Sequence, residues 1–324
     1  MYSVKRNIVF MYSGQGSQYK NMGLDLYYSE PIFQYWMNQL DQYFIKFIGS
    51  SVFDLLYGDK GKKESNTLTH THLAIFMVEY AVTQVLFKHG IYPDSIVGVS
   101  LGELTASAVN NRIRLLECME MIYEQAHIIT KSCSKARMLS ILADSQLYHC
   151  SKELYLNSEI VSNNFKDNFT IAFPEEKEKV IYNFLKMNQI TYVPLAVEYG
   201  FHSSLIDDGR EPYQKYLAKR NITWNEKIRY KQYSSALVDQ LDDLSMDYFW
   251  KVVRMPIDFQ NTVKKAIDRN YINILVDLGP SGTLATSCKY IFNEENILPY
   301  TIISPYGGAM KHLDLLYKEL DMQK

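Results

Sequence analysis

The chain has little of what several common functional classes require. Its 34 basic and 36 acidic side chains give a net charge of −2, which argues against the broad basic surface of a nucleic-acid-binding protein. The four cysteines are scattered with no CxxC pair, so we expect reduced thiols and no metal site. The most apolar internal stretch, LAIFMVEYAV, contains Glu79 and is too short to cross a bilayer. We therefore expect a cytoplasmic, monomeric protein without nucleic-acid or membrane partners.

The chain does have a regular alternation of strand-like and helix-like segments. Short apolar runs that pass into glycine turns predict buried strands at 7–12, 95–99 and 272–277. Apolar residues at helical spacing predict helices at 70–88, 101–111 and 114–133. Four shorter strand-like runs and one charged amphipathic helix crowd into the middle of the chain. This pattern predicts an α/β fold in which a large domain, 1–134 and 202–324, is interrupted by a small α+β domain at 135–201.

A nucleophile motif follows the second predicted strand. GVSLG has the spacing Gly-x-Ser-x-Gly, with Ser100 between an apolar run and a helix. That spacing is typical of a serine held on a sharp strand-to-helix turn, although a serine capping a helix fits the motif alone. A serine nucleophile also needs a base, which is usually histidine. Of the seven histidines, His202 in FHSSL is the best candidate, because it lies at a strand end, where the sites of α/β proteins gather.

Four motifs in order carry a resemblance to a known family. GQGSQ, GVSLGE, FHSSLID and DLGPSGTL begin at residues 14, 98, 201 and 277. Together they resemble the malonyl-CoA:acyl carrier protein transacylase family over nearly the whole chain. The resemblance implies an α/β-hydrolase-like large subdomain with an inserted ferredoxin-like small subdomain. It also implies an acyl carrier protein as partner and no cofactor except the phosphopantetheine that the carrier brings.

The resemblance also assigns catalytic roles by position. Ser100 would attack a thioester and become acylated, with His202 as general base and then general acid. The backbone N–H groups of Gln15 and Leu101 would form the oxyanion hole. Members of the family orient the histidine with a backbone carbonyl instead of a carboxylate. In this chain we assign that carbonyl to Asp258 in the segment MPIDF.

The residues that would bind the acyl group depart from the malonyl-specific pattern. Gln125 stands 25 residues after Ser100, where malonyl-specific members carry an arginine that pairs with the malonyl carboxylate. Val99 replaces a histidine, and His72 replaces a glutamine. Phe201 matches the malonyl-type members, and Asn164 matches an asparagine at the cleft between the subdomains, with the adjacent Asn163 as an alternative.

These departures predict a preference for uncharged acyl groups. No arginine lies between positions 114 and 137, and a buried malonyl carboxylate without a cation would cost several kcal/mol. Gln125 resembles the acyl hydrolase branch of discrete acyltransferase homologues in polyketide assembly lines that use free-standing acyltransferases. The first alternative is a working malonyl-CoA:acyl carrier protein transacylase in which the departures are neutral. The second is a catalytically degenerate scaffold protein.

Overall fold

The computed structural model describes residues 5–58, 67–220, 222, 224, 225 and 227–321, and its two sheets confirm the predicted α/β fold. The strands are β1 (Arg6–Tyr12), β2 (Ser95–Gly98), β3 (Ala136–Ile141), β4 (Glu159–Phe165), β5 (Asn168–Pro174), β6 (Tyr192–Pro194), β7 (Lys231–Ser234), β8 (Asp239–Gln240), β9 (Ile272–Asp277) and β10 (Ile297–Thr301).

The helices pack against the two sheets. They are α1 (Leu24–Ser29), α2 (Pro31–Ile48), α3 (Phe53–Leu56), α4 (Leu68–Lys88), α5 (Gly102–Val109), α6 (Leu115–Ser132), α7 (Gln146–Cys150), α8 (Lys152–Tyr155), α9 (Glu178–Met187), α10 (Arg210–Arg220), α11 (Met246–Arg254), α12 (Phe259–Ala266), α13 (Thr283–Ile291) and α14 (Ala309–Glu319). Within the described ranges, none of them is long and apolar enough to cross a membrane.

The larger sheet has the order β10-β9-β1-β2-β7-β8, with only β8 antiparallel to its neighbour. Its central strands are apolar on both faces because helices cover both. Phe10 and Tyr12 of β1 pack into a core with α2, α4, α5 and α6, whereas Val9 and Met11 pack against α12 and α13. The turns that carry the glycine motifs therefore meet at the carboxyl edge of this sheet.

The smaller sheet is antiparallel, with the order β4-β5-β3-β6, and α7, α8 and α9 cover one face. This order and the alternation of strands and helices are those of a ferredoxin-like fold. Its strands fall between residues 136 and 194, inside the predicted small domain. The predicted domain boundaries stay predictions, and the chain ends at 1–4 and 322–324 lie outside the described residues.

The smaller sheet is joined to the larger domain along the edge strand β4. Ile257 donates its N–H to the carbonyl of Val161 at 2.8 Å, and its own carbonyl accepts from the N–H of Asn163 at 3.2 Å. The ring of Phe165 stacks on Tyr290 of α13, with their centroids 4.6 Å apart. The segment that follows α11 is therefore fixed by hydrogen bonds to the smaller sheet. The same segment contacts the candidate active site, which is described below.

Candidate active site

Ser100 lies on a sharp turn between β2 and α5. Its φ angle is 54°, a left-handed conformation that residues other than glycine rarely adopt. Glycines on both sides allow the turn: a Cβ on Gly98 would lie 2.5 Å from Glu103 Cα, and one on Gly102 would lie 2.2 Å from the carbonyl oxygen of Tyr12. Only glycine fits at either position, and the turn lifts the Ser100 side chain above the end of the sheet.

His202 is held in the orientation and tautomer that a general base needs. Its Nε2 lies 2.8 Å from Ser100 Oγ, and its Nδ1 lies 2.9 Å from the carbonyl oxygen of Met255. Since a carbonyl can only accept, Nδ1 carries the proton and the Nε2 lone pair faces the Ser100 hydroxyl. Burial lowers the pKa of His202 to about 4, so the imidazole is neutral at pH 7.

The carbonyl that orients His202 belongs to Met255, so the assignment to Asp258 was wrong. Met255 follows the last turn of α11 in an extended conformation, and its carbonyl therefore points away from the helix. Asp258 instead begins α12: its side chain accepts from the N–H of Asn261, and its carbonyl accepts from Thr262. The sequence indicated the right segment, but the position at which α11 ends decides which carbonyl is free.

The predicted oxyanion donors lie on the two turns next to Ser100. Leu101 immediately follows the serine, and Gln15 follows β1 in a loop pressed against it. A Cβ on Gly14 would lie 2.7 Å from Ser100 Cβ. Neither the Gln15 N–H nor the Leu101 N–H donates to another residue in the described part of the chain. Both donors are thus available to a ligand, and their catalytic role stays a prediction.

His72 and Phe201 lie beside Gln15. The Nε2 atom of His72 is 3.2 Å from Gln15 Oε1, and the His72 ring centroid is 5.7 Å from that of Phe201. Burial lowers the pKa of His72 to about 3, so this side chain is neutral and supplies no cation. Its Nδ1 atom is buried and has no hydrogen-bond partner among the described residues.

Comparison with known proteins places this geometry in a family. Residues 9–315 match the acyl transferase domain family. The chain is an acyltransferase family member. It is 37% identical over 312 residues to "Polyketide biosynthesis acyltransferase homolog BaeD" of Bacillus velezensis, covering 94% of each chain. It is 36% identical to "Polyketide biosynthesis acyltransferase homolog PksD" of Bacillus subtilis, covering 95% of this chain and 94% of that one.

Solved structures share the fold of this acyltransferase at low sequence identity. A malonyl-CoA:acyl carrier protein transacylase from Clostridium perfringens aligns with a TM-score of 0.80 at 19% identity, covering 97% of both chains. The acyl transferase domain of SpnD aligns with a TM-score of 0.85 at 19% identity, covering 96% of this chain and 74% of that one. These likenesses confirm the fold and carry no conclusion about the acyl group.

Gln125 of this acyltransferase lies buried on α6, at 1% exposure. Its Nε2 donates to the carbonyl of Phe249 at 3.5 Å. The buried hydroxyl of Tyr213 interacts with the Gln125 side chain, and neither the hydroxyl nor Gln125 Oε1 has a further partner among the described residues. The structure does not join Gln125 to Ser100 or His202 by a hydrogen bond, so its acyl-binding role stays a prediction.

Two other predicted binding residues, Val99 and Asn164, make their contacts with residues outside the Gln15 pocket. Val99 is buried and packs with Phe259 of α12, whereas Phe201 packs into the core on the opposite face of the sheet. Asn164 hydrogen-bonds to Ser162, Asn168 and Thr170, which all belong to the smaller sheet. The contacts of Val99 and of Asn164 are therefore with residues other than His72 and Phe201.

The sequence analysis overlooked Glu103, a buried acid at the base of the turn. Its Oε2 accepts from the Tyr248 hydroxyl at 2.5 Å, and its Oε1 accepts from Ser235 Oγ at 2.9 Å and the Ala236 N–H at 3.0 Å. Tyr248 lies on α11, the helix that precedes Met255. Glu103 thus connects the serine helix to the helix that orients His202. An acid within the motif GVSLGE was the signal that could have identified it.

Proposed function

We propose that this chain is an acyl hydrolase that removes short, uncharged acyl groups from acyl carrier proteins of a polyketide assembly line. The observation that carries the proposal is the 2.8 Å contact between Ser100 Oγ and a neutral His202 whose other nitrogen is fixed by the Met255 carbonyl. A neutral imidazole in this tautomer can accept the serine proton directly. The names of the Bacillus relatives supply the polyketide context.

The first half of the reaction would be acylation of the serine. Ser100 Oγ transfers its proton to His202 Nε2 and attacks the thioester carbonyl, and the N–H groups of Gln15 and Leu101 receive the oxyanion. As the tetrahedral intermediate collapses, the C–S bond breaks and His202 gives its proton to the departing thiolate. The products are an acyl-serine ester and a carrier protein with a free phosphopantetheine thiol.

The second half would be hydrolysis of that ester. Water takes the position that the thiol has left, gives a proton to His202 Nε2 and attacks the acyl carbonyl. Collapse of the second tetrahedral intermediate releases the carboxylic acid, and His202 returns its proton to Ser100 Oγ. A transacylase differs only at this step, where a second thiol replaces water.

Lys20, Lys135 and Arg137 line the same cleft as Gln15, but the residues that hydrogen-bond to the site favour an uncharged acyl group. Among the described residues that hydrogen-bond to Ser100, His202, Gln15 or Gln125, none has a cationic side chain, since His72 is neutral. A malonyl carboxylate bound there would be desolvated without a partner, at a cost of several kcal/mol. An acetyl or propionyl group requires no such partner.

The alternatives predict different products from one experiment. Purified protein is incubated with acetyl-carrier protein, with malonyl-carrier protein, or with malonyl-CoA and free carrier protein, and the carrier is followed by mass spectrometry, with Ser100→Ala as the control. We expect the acetyl form to be cleaved and the malonyl form to remain. Rapid malonyl transfer from malonyl-CoA to the carrier would instead establish the transacylase. Cleavage of neither form, with no acyl-enzyme formed, would establish a degenerate scaffold.

A further inference from the structure

Glu79 carries a completely buried carboxyl group in the middle of the apolar helix α4, and the proposed reaction does not use it. Its Oε1 accepts from the Ser13 N–H at 2.8 Å and from Ser13 Oγ at 3.1 Å. Its Oε2 accepts from Thr105 Oγ1 at 2.8 Å. The Ser13 N–H can only donate, so Oε1 acts as an acceptor there, and burial raises the pKa of this carboxyl group well above its usual range.

The partners of Glu79 belong to the two segments that carry the predicted oxyanion donors. Ser13 lies two residues before Gln15, in the turn that leaves β1. Thr105 lies one helical turn after Leu101, and its N–H points at the Leu101 carbonyl at 3.4 Å. One carboxylate therefore joins both segments through side-chain and backbone hydrogen bonds.

The spacing of the two donors matters because an oxyanion hole works only when both N–H groups converge on one oxygen. The Gln15 loop and the Leu101 turn come from different strands, and they are about 85 residues apart in the chain. A leucine or methionine at position 79 would suit the apolar helix but would leave the Ser13 N–H buried without an acceptor. The Gln15 loop would then be free to shift relative to Leu101.

We propose that Glu79 is a positioning residue that fixes the distance between the two oxyanion donors. The inference rests on the proposed acylation of Ser100, but it is independent of whether water or a thiol completes the reaction. Because the oxyanion forms in the tetrahedral intermediates and the transition states that flank them, and not in the bound thioester, the loss of this contact lowers kcat and leaves KM nearly unchanged.

The test compares Glu79→Met with Glu79→Gln, which keeps an acceptor for Ser13 and offers an N–H to Thr105. We expect Glu79→Met to lose about 10²-fold in kcat, the scale of one oxyanion donor, with KM within about threefold. Glu79→Gln is expected to recover most of this loss. The rate of Ser100 labelling by a fluorophosphonate, which also needs the oxyanion hole, is expected to fall in parallel.

Asn273→Ala is the matched control. Asn273 is equally buried and bonds to the Asp268 carbonyl and to Asn7, but it lies at the opposite end of the sheet, where β9 begins. It is expected to lower thermal stability without lowering kcat. If Glu79→Met does not fold, Thr105→Val removes one contact with little change of shape, and a loss of several-fold in kcat at constant KM is expected.

Wild-type kcat and labelling rate in a folded Glu79→Met or Thr105→Val variant would overturn this inference alone. An equal loss of kcat in Asn273→Ala would also overturn it, since general destabilisation would then explain the effect. If wild-type Ser100 is neither labelled nor acylated, the proposed function and this inference both fail.

Discussion

The site has a serine–histidine side, Ser100 and His202 with Glu79 and Glu103 behind them, and a predicted acyl-binding side around His72 and Gln125. The two sides differ in how many of their buried polar atoms are hydrogen-bonded. On the first side, both nitrogens of His202 are hydrogen-bonded, and both oxygens of Glu79 and of Glu103 accept donors. On the second, His72 Nδ1 is buried without a partner among the described residues, and Gln125 Oε1 and the Tyr213 hydroxyl have only each other.

The difference shows that hydrogen bonds hold the serine–histidine side more completely than they hold the Gln125 side. A buried polar atom without a hydrogen bond costs about 1–3 kcal/mol, so a set of unpaired atoms is a destabilising feature. An arginine at position 125 would supply several donors to these neighbours and to a carboxylate. The glutamine supplies a donor to the Phe249 carbonyl and no positive charge. This contrast is what the proposed preference for uncharged acyl groups predicts.

Removing the nucleophile should have the largest effect. Ser100→Ala is expected to lower the rate of acetyl-carrier cleavage by about 10⁴-fold or more, because no acyl-enzyme can form. Release of the carrier thiol measures the rate, and an unchanged thermal unfolding temperature shows that the fold is kept. Residual cleavage within tenfold of wild type would mean that another group attacks the thioester.

Closing the space at the turn should have the next largest effect. Gly102→Ala places a Cβ 2.2 Å from the Tyr12 carbonyl oxygen, so either β1 or the serine turn must move. We expect a loss of about 10²-fold or more in acylation of Ser100, measured by mass spectrometry, because a small displacement of a reacting group has this cost. Gly49→Ala is the control: its Cβ meets nothing within 4 Å, and its positive φ costs only stability.

Restoring a cation should reverse the preference for the acyl group. Gln125→Arg is expected to raise malonyl acylation of Ser100 relative to acetyl acylation by about tenfold, by pairing with the carboxylate. The ratio of the two acyl-enzymes measures the effect. Gln125→Met, which has similar volume and no polar atom, is the control and should leave the ratio unchanged. An unchanged ratio in a folded Gln125→Arg variant would show that position 125 does not contact the acyl group.

The pH dependence should show the effect of burial on His202. Its pKa is lowered to about 4, so kcat/KM is expected to fall only as the pH approaches that value and not near pH 6.5. In the unfolded chain His202 protonates near pH 6.5, so the contribution of its buried neutral form to stability is complete above that pH and declines as the pH falls toward 4. A kinetic acid limb centred near pH 6.5, in a protein still folded there, would contradict this assignment.

The local pattern of the sequence predicted the fold, and the four ordered motifs of the family resemblance predicted the contact between Ser100 and His202. Helical spacing at 114–133 predicted the helix observed at Leu115–Ser132. An apolar run, a glycine turn and a helical run in succession predicted that Ser100 lies at the edge of the sheet. The Met255 carbonyl could not be predicted, since it depends on where α11 ends. The packing of Val99 could not be predicted either, because the sequence does not show which face of the sheet an isolated apolar residue will cover.

Competition between two substrates for Ser100 tests the central claim most directly. Equal amounts of acetyl-carrier and malonyl-carrier protein are mixed with the enzyme, and the serine-bound acyl group is identified by mass spectrometry within the first turnover. The account predicts acetyl-Ser100 in large excess, followed by release of free acetate. Malonyl-Ser100 in excess, persisting until a carrier thiol removes it, would contradict it.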